Sequence, residues 1–159
     1  MLLPISPYYR ILREQIGPMR IFSPSVGAII RNPQQEVLFV ENADDHRWSI
    51  PAGAIEIGET PAEAMRREAY EETGLRIQIE GVAAVLGGGD FRWTYPDGNE
   101  VEYLVIVFHA VPLAGSLEAR DGEVARFRWH SSLSLPSLAL PYPPEIFRSP
   151  SPKDPYFQR

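Results

Sequence analysis

Cysteine is absent from this chain of 159 residues. Its absence excludes disulfide frameworks, thiolate metal sites and cysteine nucleophiles. Long apolar runs are missing too, since no stretch reaches the roughly 18 residues that a membrane-spanning helix requires. The N-terminal sequence MLLPISPYYRILREQ is interrupted by Pro, Tyr and Arg too early for a signal peptide. We therefore expect a cytoplasmic protein that has no membrane partner.

Positive charge is scarce as well, with 15 Lys and Arg residues against 21 Asp and Glu residues and a formal net charge of −6. A protein that holds nucleic acid by neutralising phosphates needs the opposite balance, so we expect no stable nucleic-acid partner. A small nucleotide substrate stays compatible with this charge, because a bound divalent metal reverses the local field.

The length and composition indicate a single domain, residues 1–159, built around one core. A short amphipathic helix is predicted at about 7–15. A proline-rich tail is predicted at about 136–159, where seven of the last 24 residues are proline. Such a tail is typical of an extended segment rather than of regular structure.

Short β-type runs lie on both sides of one strong helix candidate. The runs that predict strands are 25–30, 36–41, 47–51, 76–86, 91–95, 102–111 and 125–129. The first two are separated by the turn-rich RNPQQ, which predicts a β-hairpin. Strands before and after one central helix indicate an α+β fold with a mixed sheet rather than alternating βαβ units.

The central helix is predicted at 61–73, and both of its ends are marked. Thr60 is a good N-cap, and Glu63 completes a capping box with it. Pro61 suits the first helical position, and Gly74 stands where a C′ glycine ends a helix.

Three glutamates share one face of this helix. At about 100° per residue, Glu68, Glu71 and Glu72 lie together, at the edge of a narrow stripe that can face the core. Arg67 lies one turn from both Glu63 and Glu71, and we expect it to pair with either and to orient carboxylates. The members of the stripe are Ala62, Met65, Ala69 and Thr73.

Clustered carboxylate oxygens are the ligands that Mg²⁺ or Mn²⁺ prefers. Without a metal, like-charge repulsion should raise the pKa of at least one of the three carboxyl groups. Glutamates on a helix nevertheless form a solvated charged face more often than a metal site. The segment that precedes the helix decides between these readings.

The segment GAIEIGETPAEAMRREAYEETGL, Gly53 to Leu75, resembles the box of the Nudix hydrolases. That pattern is Gly, five residues, Glu, seven residues, Arg-Glu, an apolar residue, any residue, Glu-Glu, any residue, Gly and an apolar residue. Chance agreement is on the order of one in a million for a chain of this composition. The fixed positions are filled by Gly53, Glu59, Arg67, Glu68, Glu71, Glu72 and Gly74, and the apolar ones by Ala69 and Leu75.

The resemblance implies a mixed β-sheet sandwiched by helices, with the catalytic loop and helix at 53–75. It implies Mg²⁺-dependent or Mn²⁺-dependent hydrolysis of a pyrophosphate bond in a nucleoside diphosphate linked to another moiety. By position, Glu68 and Glu72 would be metal ligands, and Glu71 a further ligand or the group that handles the attacking water. The backbone carbonyl of Gly53 would also reach the metal, and Glu59 would support the loop by hydrogen bonding.

Some members of the family recruit one more acidic residue from a late loop. Here EARDGEV offers Glu118, Asp121 and Glu123, of which we choose Glu123 as a further metal ligand. Acidic residues in such a segment more often form a polar turn, so this choice depends on where the fold brings the loop.

Aromatic residues and histidines complete the candidates. One of Trp48, Trp93 and Tyr95 could stack on a nucleobase, although strand aromatics more often belong to the core. The three histidines show no ligand spacing, and we expect structural roles for all of them: His46, His109 and His130.

The substrate stays open among a nucleoside triphosphate, a nucleotide sugar, ADP-ribose and a dinucleotide, and a homodimer stays open too. Isomerases of the same fold use a cysteine, which this chain lacks. The alternative from another class is a Nudix-fold module that senses a nucleotide without cleaving it. The complete set of box glutamates favours the enzyme over this sensor.

Overall fold

The computed structural model describes residues 6–148 and 154–158, so 149–153 and 159 of the predicted proline-rich tail lie outside the described residues. The helices are α1 (Pro7–Ile16), α2 (Pro61–Thr73) and α3 (Glu145–Arg148), with a short 3₁₀ turn at Gly89–Phe91. The strands are β1 (Ile21–Ile30), β2 (Val37–Asn42), β3 (Trp48–Ser49), β4 (Ala52–Ala54), β5 (Arg76–Leu86), β6 (Arg92–Thr94), β7 (Glu100–Ala114), β8 (Val124–His130) and β9 (Tyr156–Phe157).

The strands form two sheets. The larger sheet has the order β4-β1-β7-β5-β9, and β6 pairs with β7 beside this path. The smaller sheet has the order β3-β2-β8. Strands β1 and β7 run parallel, whereas β5 runs antiparallel to β7 and β4 antiparallel to β1. The predicted α+β class with a mixed sheet is confirmed.

Two hydrophobic clusters fill the space on the two faces of the larger sheet. On one face, Met65 and Ala69 of α2 pack against Val26 of β1 and Leu38 of β2. On the other face, Phe39 of β2 and the segment that follows β8 cover the sheet, and Phe147 of α3 belongs to this second cluster. Strand β2 contributes to both clusters, so it joins the helix layer to the opposite layer.

The predicted hairpin of residues 25–30 and 36–41 is wrong. The turn itself forms, because Asn32 N–H donates to the Glu36 carbonyl at 3.0 Å, but only one isolated bridge, Arg31 to Val37, follows it. Strands β1 and β2 then enter different sheets. Both strands are buried on both faces over most of their length. Continuous apolar runs of this kind do not specify which partner a strand pairs with.

The ends of α2 are as the sequence predicts. Thr60 Oγ1 accepts from the Glu63 N–H at 3.3 Å, and Glu63 Oε2 accepts from the Thr60 N–H at 2.8 Å. Gly74 ends the helix in the left-handed region at φ 73°, which glycine adopts without strain. Gly74 also packs closely against the segment after β7, since a Cβ at this position would lie 2.6 Å from the Ser116 carbonyl oxygen. Alanine at position 74 would therefore be destabilising for two reasons, the left-handed backbone conformation and the clash with the Ser116 carbonyl.

Among the helices within residues 6–148 and 154–158, none is long and apolar enough to cross a membrane.

A buried histidine and arginine join the larger sheet to the C-terminal segment. His109 of β7 is 3% exposed, and its Nδ1 lies 3.0 Å from Arg31 Nη1. Arg31 Nη2 also donates to the Phe147 carbonyl at 2.8 Å. Burial, and then the charge of Arg31, lower the pKa of His109 to about 4. His109 is thus neutral in the folded protein and has the structural role that its lack of ligand spacing predicted.

We expect the free energy of unfolding to depend on pH through His109. Its folded pKa of about 4 lies below the ordinary value of 6.5, so the unfolded chain binds more protons between these values. The stability linked to this group is complete above the ordinary value. It falls as the pH is lowered toward the folded value, by on the order of 3 kcal/mol.

Urea unfolding of the wild type and of His109→Gln across this pH range measures the effect. Glutamine keeps an acceptor for Arg31 but does not titrate, so the acid-induced loss of stability should be smaller in the variant. The difference between the two proteins is the decisive quantity, because buried glutamates with raised pKa values add a slope of opposite sign. Parallel pH curves for the two proteins would contradict this account.

Candidate active site

Gly53 brings a backbone strand against the glutamate face of α2. It lies in β4, opposite Val26 of β1. A Cβ on Gly53 would lie 2.0 Å from the carboxyl carbon of Glu68 and 2.2 Å from both of its oxygens. Any other residue at this position would displace the Glu68 carboxylate. The glycine therefore allows contact between the strand and the helix at this point.

Arg67 is the centre of the hydrogen bonds between the loop and the helix. Its Nε donates to Glu59 Oε1 at 2.7 Å, and its Nη1 donates to Glu68 Oε1 at 2.7 Å and to Glu71 Oε2 at 3.2 Å. Its Nη2 donates to the Ala54 carbonyl and to Glu59 Oε2, both at 2.9 Å. These five contacts match the five N–H donors of a guanidinium. The bond to Glu59 is the main cause that raises the pKa of Arg67.

Of its two predicted partners, Arg67 pairs with Glu71, which confirms the prediction. Glu63 is engaged with Thr60 in the capping box, so its carboxylate serves the start of the helix instead. Glu59 takes its place as the partner of Arg67, and its Oε2 also accepts from the Glu56 N–H at 3.0 Å. A carboxylate eight residues before the arginine thereby joins the loop to the helix.

The three helix glutamates differ in burial. Glu72 is 7% exposed, and its Oε2 accepts from the Ala52 N–H of β4 at 3.0 Å. The Glu68 side chain is 13% exposed and the Glu71 side chain 45%. The face that the sequence predicts thus runs from buried at Glu72 to half-exposed at Glu71.

Burial raises the pKa of two of these carboxyl groups. The pKa of Glu72 lies well above its usual range, first because of burial and then because of the charge of Glu68. Burial raises the pKa of Glu68 to about 7, although its bond with Arg67 acts in the opposite direction. The predicted rise is confirmed, but burial is a larger cause than the predicted repulsion between like charges. A sequence pattern indicates which charged residues lie close together more readily than it indicates how deeply each one is buried.

The segment 115–123, between β7 and β8, is attached to the end of α2 by backbone hydrogen bonds. The Glu118 N–H donates to the Thr73 carbonyl at 3.0 Å, and the Arg120 N–H donates to the Glu71 carbonyl at 2.9 Å. These bonds satisfy carbonyl groups that the last turn of a helix leaves unpaired.

This attachment brings Glu123 close enough to interact with the helix glutamates. Burial, and then the charges of Asp121 and Glu71, raise the pKa of Glu123 to about 7. The charge of Glu123 in turn raises the pKa values of Glu68 and Glu72. The third acid of the late segment, Glu118, is instead exposed and paired with Arg120 at 3.2 Å.

The aromatic candidates all have neighbours in the described structure. Trp48 is half-buried on the core, with the guanidinium of Arg128 at 5.4 Å from its ring, and Trp93 has that of Arg47 at 4.9 Å. The Tyr95 hydroxyl lies 2.6 Å from the Tyr103 hydroxyl. These contacts leave base stacking untested, and it stays a prediction.

The remaining histidines contact residues of β2. His46 Nδ1 is 2.9 Å from Glu41 Oε1, in the turn after β2. The ring of His130 packs edge-on against Phe39, with 5.8 Å between the ring centroids. Both contacts agree with the structural roles that we expect.

An open cleft of about 540 Å³ lies beside the helix. Its lining residues are Pro7, Glu56, Arg67, Glu71, Arg120 and Asp121. Sequence reasoning missed Pro7, Glu56 and Arg120, because they come from α1, the loop before α2 and the segment before β8. Only the fold brings these distant segments together, and no local pattern marks the three residues.

A divalent cation suits the chemistry of these residues, although their side chains do not form a ready ligand set. Within the described part of the chain, no group of three acidic or histidine side chains stands at metal-ligating spacing. Arg67 holds one oxygen of Glu68. The carboxyl groups of Glu68, Glu72 and Glu123 nevertheless share burial and mutual repulsion, which a hard cation bound by oxygen would relieve.

Several solved structures share the fold of this chain. The chain is similar to a UDP-X diphosphatase, with 22% identity and a TM-score of 0.63, over 90% of this chain and 64% of that chain. It is similar to an ADP-ribose pyrophosphatase from Streptococcus suis, with 21% identity and a TM-score of 0.64, over 85% of this chain and 96% of that one. It is also similar to a MutT protein from Methanosarcina mazei, with 24% identity and a TM-score of 0.62, over 81% and 92% of the two chains.

At these identities the solved structures establish the fold alone. The chain spans 64% of the length of the UDP-X diphosphatase. A model of the NUDIX domain matches residues 22–148, which is most of the chain. Since the match covers well over half of the chain and contains the whole glutamate helix, the chain belongs to the NUDIX domain family.

Proposed function

We propose that this protein hydrolyses a pyrophosphate bond in a nucleoside diphosphate linked to another moiety, with Mg²⁺ or Mn²⁺ as cofactor. One observation carries the proposal: the buried carboxyl group of Glu72 lies in the field of three other acids, Glu68, Glu123 and Asp121. Burying such a group next to like charges is costly unless the site serves a cation. The solved relatives named as a UDP-X diphosphatase and an ADP-ribose pyrophosphatase support this class of substrate.

The reaction needs help because the negative charge of a pyrophosphate repels an attacking nucleophile. A divalent cation, when bound, would neutralise that charge and acidify the attacking water. We assign the ligand positions to the carboxylates of Glu68, Glu72 and Glu123 and to the backbone carbonyl of Gly53. Of the two roles that the resemblance implies for Glu71, further ligand or handling of the attacking water, we propose the second. A rigid helix holds such ligands in a constant geometry, which is what in-line attack requires.

We assign the neighbouring residues to positioning and proton transfer. Arg67 orients Glu68 and Glu71 and is itself held by Glu59. Its donors are all used by these contacts and by Ala54, so Arg67 acts through the carboxylates. Glu71 is half-exposed at the cleft. We therefore propose that Glu71 accepts the proton of the attacking water.

The first prediction for this function is that Glu72→Gln abolishes most activity and leaves the fold intact. Glutamine keeps an oxygen for the Ala52 N–H but carries no charge, so hydrolysis should fall by at least about 100-fold, more than second-layer residues of metal sites cost. Because glutamine removes a buried carboxyl group from like-charged neighbours, thermal stability without metal should equal or exceed that of the wild type.

Stability in the presence of Mg²⁺ separates the metal role from a general disturbance. A ligand that binds only the folded state stabilises it, so Mg²⁺ should raise the melting temperature of the wild type and not that of Glu72→Gln. Glu80→Gln, an exposed substitution on β5, is the matched control and should behave as the wild type does. A near-wild-type rate for Glu72→Gln would exclude Glu72 as a ligand.

A second prediction concerns Gly53→Ala. The new methyl group would meet the end of the flexible Glu68 side chain rather than backbone atoms, so the protein should fold and melt near the wild-type temperature. The displaced carboxylate should lower kcat by about 100-fold, the cost of a misplacement near 1 Å. Gly89→Ala is the control, because a Cβ there meets nothing closer than 3.8 Å. Equal kcat values for the two variants would contradict the idea that the missing side chain at Gly53 lets the Glu68 carboxylate take its catalytic position.

The substrate is identified by measuring phosphate release, after phosphatase coupling, across a panel of pyrophosphate compounds with Mg²⁺ or Mn²⁺. The panel contains nucleoside triphosphates, nucleotide sugars, ADP-ribose and dinucleotides. Turnover of at least one compound is expected. Nucleotide binding without any turnover would favour the nucleotide-sensing module instead. A homodimer, the single domain over 1–159 and the cytoplasmic location stay predictions.

A further inference from the structure

Arg120 lines the cleft but has no counterpart in the Nudix box. Its backbone N–H is bound to the Glu71 carbonyl, which fixes the residue at the C-terminal end of α2. Its side chain is 43% exposed, and its guanidinium lies 4.6 Å from the centre of the Tyr70 ring. Stacking on an aromatic face restricts the orientation of a guanidinium. The position of Arg120 at the C-terminal end of α2 is therefore set by both its backbone and its side chain.

The two arginines of the cleft differ in how their donors are used. The five donors of Arg67 are used by Glu59, Glu68, Glu71 and the Ala54 carbonyl. The guanidinium of Arg120 makes one hydrogen bond to a described residue, at 3.2 Å to the exposed carboxylate of Glu118. Exposed pairs of this kind contribute little and are easily exchanged. Arg120 therefore has donors to offer to a ligand that enters the cleft.

The charge of the cleft shows which ligand would use those donors. The lining includes three acids, Glu56, Glu71 and Asp121, which repel an anion. An anionic substrate that enters past them needs a cation at the mouth as well as the metal inside. A planar guanidinium fork matches two phosphate oxygens at once and suits this task better than a point charge.

We propose that Arg120 binds the phosphate oxygens of the substrate that lie at the mouth of the cleft, beyond the metal ligands. This inference rests on the proposed pyrophosphate hydrolysis and deepens it. Arg120 acts in binding: it holds the anionic group in the ground state and in the transition state alike. Its loss should therefore raise KM and leave kcat nearly unchanged.

The test compares Arg120→Ala and Arg120→Lys with Arg76→Ala. Arg76 is the matched control, because its guanidinium lies near the same Tyr70 ring, at 6.0 Å, but does not line the cleft. Inorganic pyrophosphate is titrated into each protein with Mg²⁺ by calorimetry. Arg120→Ala should weaken binding about tenfold, the size expected for lost hydrogen bonds between charged groups. Arg120→Lys should restore part of the affinity, and Arg76→Ala should bind as the wild type does.

Kinetics on the preferred compound of the panel give the second readout. Arg120→Ala should raise KM by a factor similar to that for pyrophosphate binding, with little change in kcat. Three results would overturn the inference: unchanged affinity in Arg120→Ala, an equal loss in Arg76→Ala, or wild-type protein that does not bind pyrophosphate. An equal loss of pyrophosphate affinity in Arg76→Ala would mean that the packing around Tyr70, and not the guanidinium of Arg120, determines the affinity. Thermal melting shows whether each variant is folded. If Arg120→Ala is not folded, the pyrophosphate affinity of Arg120→Lys is compared with that of the wild type instead.

The two proposals fail in different ways. If no compound of the panel is hydrolysed and Arg120→Ala still weakens pyrophosphate binding, hydrolysis is wrong and the role of Arg120 holds. If the wild type and Arg120→Ala hydrolyse the same compound with equal KM values, only the role of Arg120 is wrong.

Discussion

The guanidinium of Arg67 joins three parts of the chain: the edge strand β4, the loop before α2 and the helix itself. It does so inside a site whose other charges are nearly all negative. Without this cation, the Glu59 carboxylate would have no charged partner in the loop, and Glu68 would lose its opposing positive charge. The geometry of the loop and the electrostatics of the site thus depend on one side chain whose five donors are all used within the protein.

Two classes of carboxylate result from this arrangement. Glu59 and Glu63 have strong partners that lower their pKa values, in Arg67 and in Thr60 respectively. Burial raises the pKa of the second class, which comprises Glu68, Glu72 and Glu123. The first class stabilises the loop and the helix end, and the second supplies the residues to which we assign the proposed cation. Glu59 and Glu68, which both accept hydrogen bonds from Arg67, therefore serve different purposes.

Much of the site could be predicted because the relevant information is local. The limits of α2, the shared face of Glu68, Glu71 and Glu72, and the close approach at Gly53 follow from helix caps, helical periodicity and the box spacing. Pairings between distant segments could not be predicted in the same way. The pairing of β2 with β3 and β8 rather than with β1, and the position of Arg120 in the lining of the cleft, depend on tertiary packing. Arg67 pairs with Glu59 and not with Glu63, because the capping box engages the Glu63 carboxylate, and the sequence did not show which of these demands would prevail.

The segment 115–123 is held to α2 by main-chain atoms, from the N–H groups of Glu118 and Arg120 to carbonyls of the last helical turn. Side chains take no part in these two bonds. Gly74 and Gly115 tighten the same contact, since a Cβ on either would press on the backbone of the other segment. The side chains that this segment directs to the cleft can therefore vary in evolution without loosening the segment from the helix. A surface built in this way is suited to diversification of substrates on a constant catalytic frame.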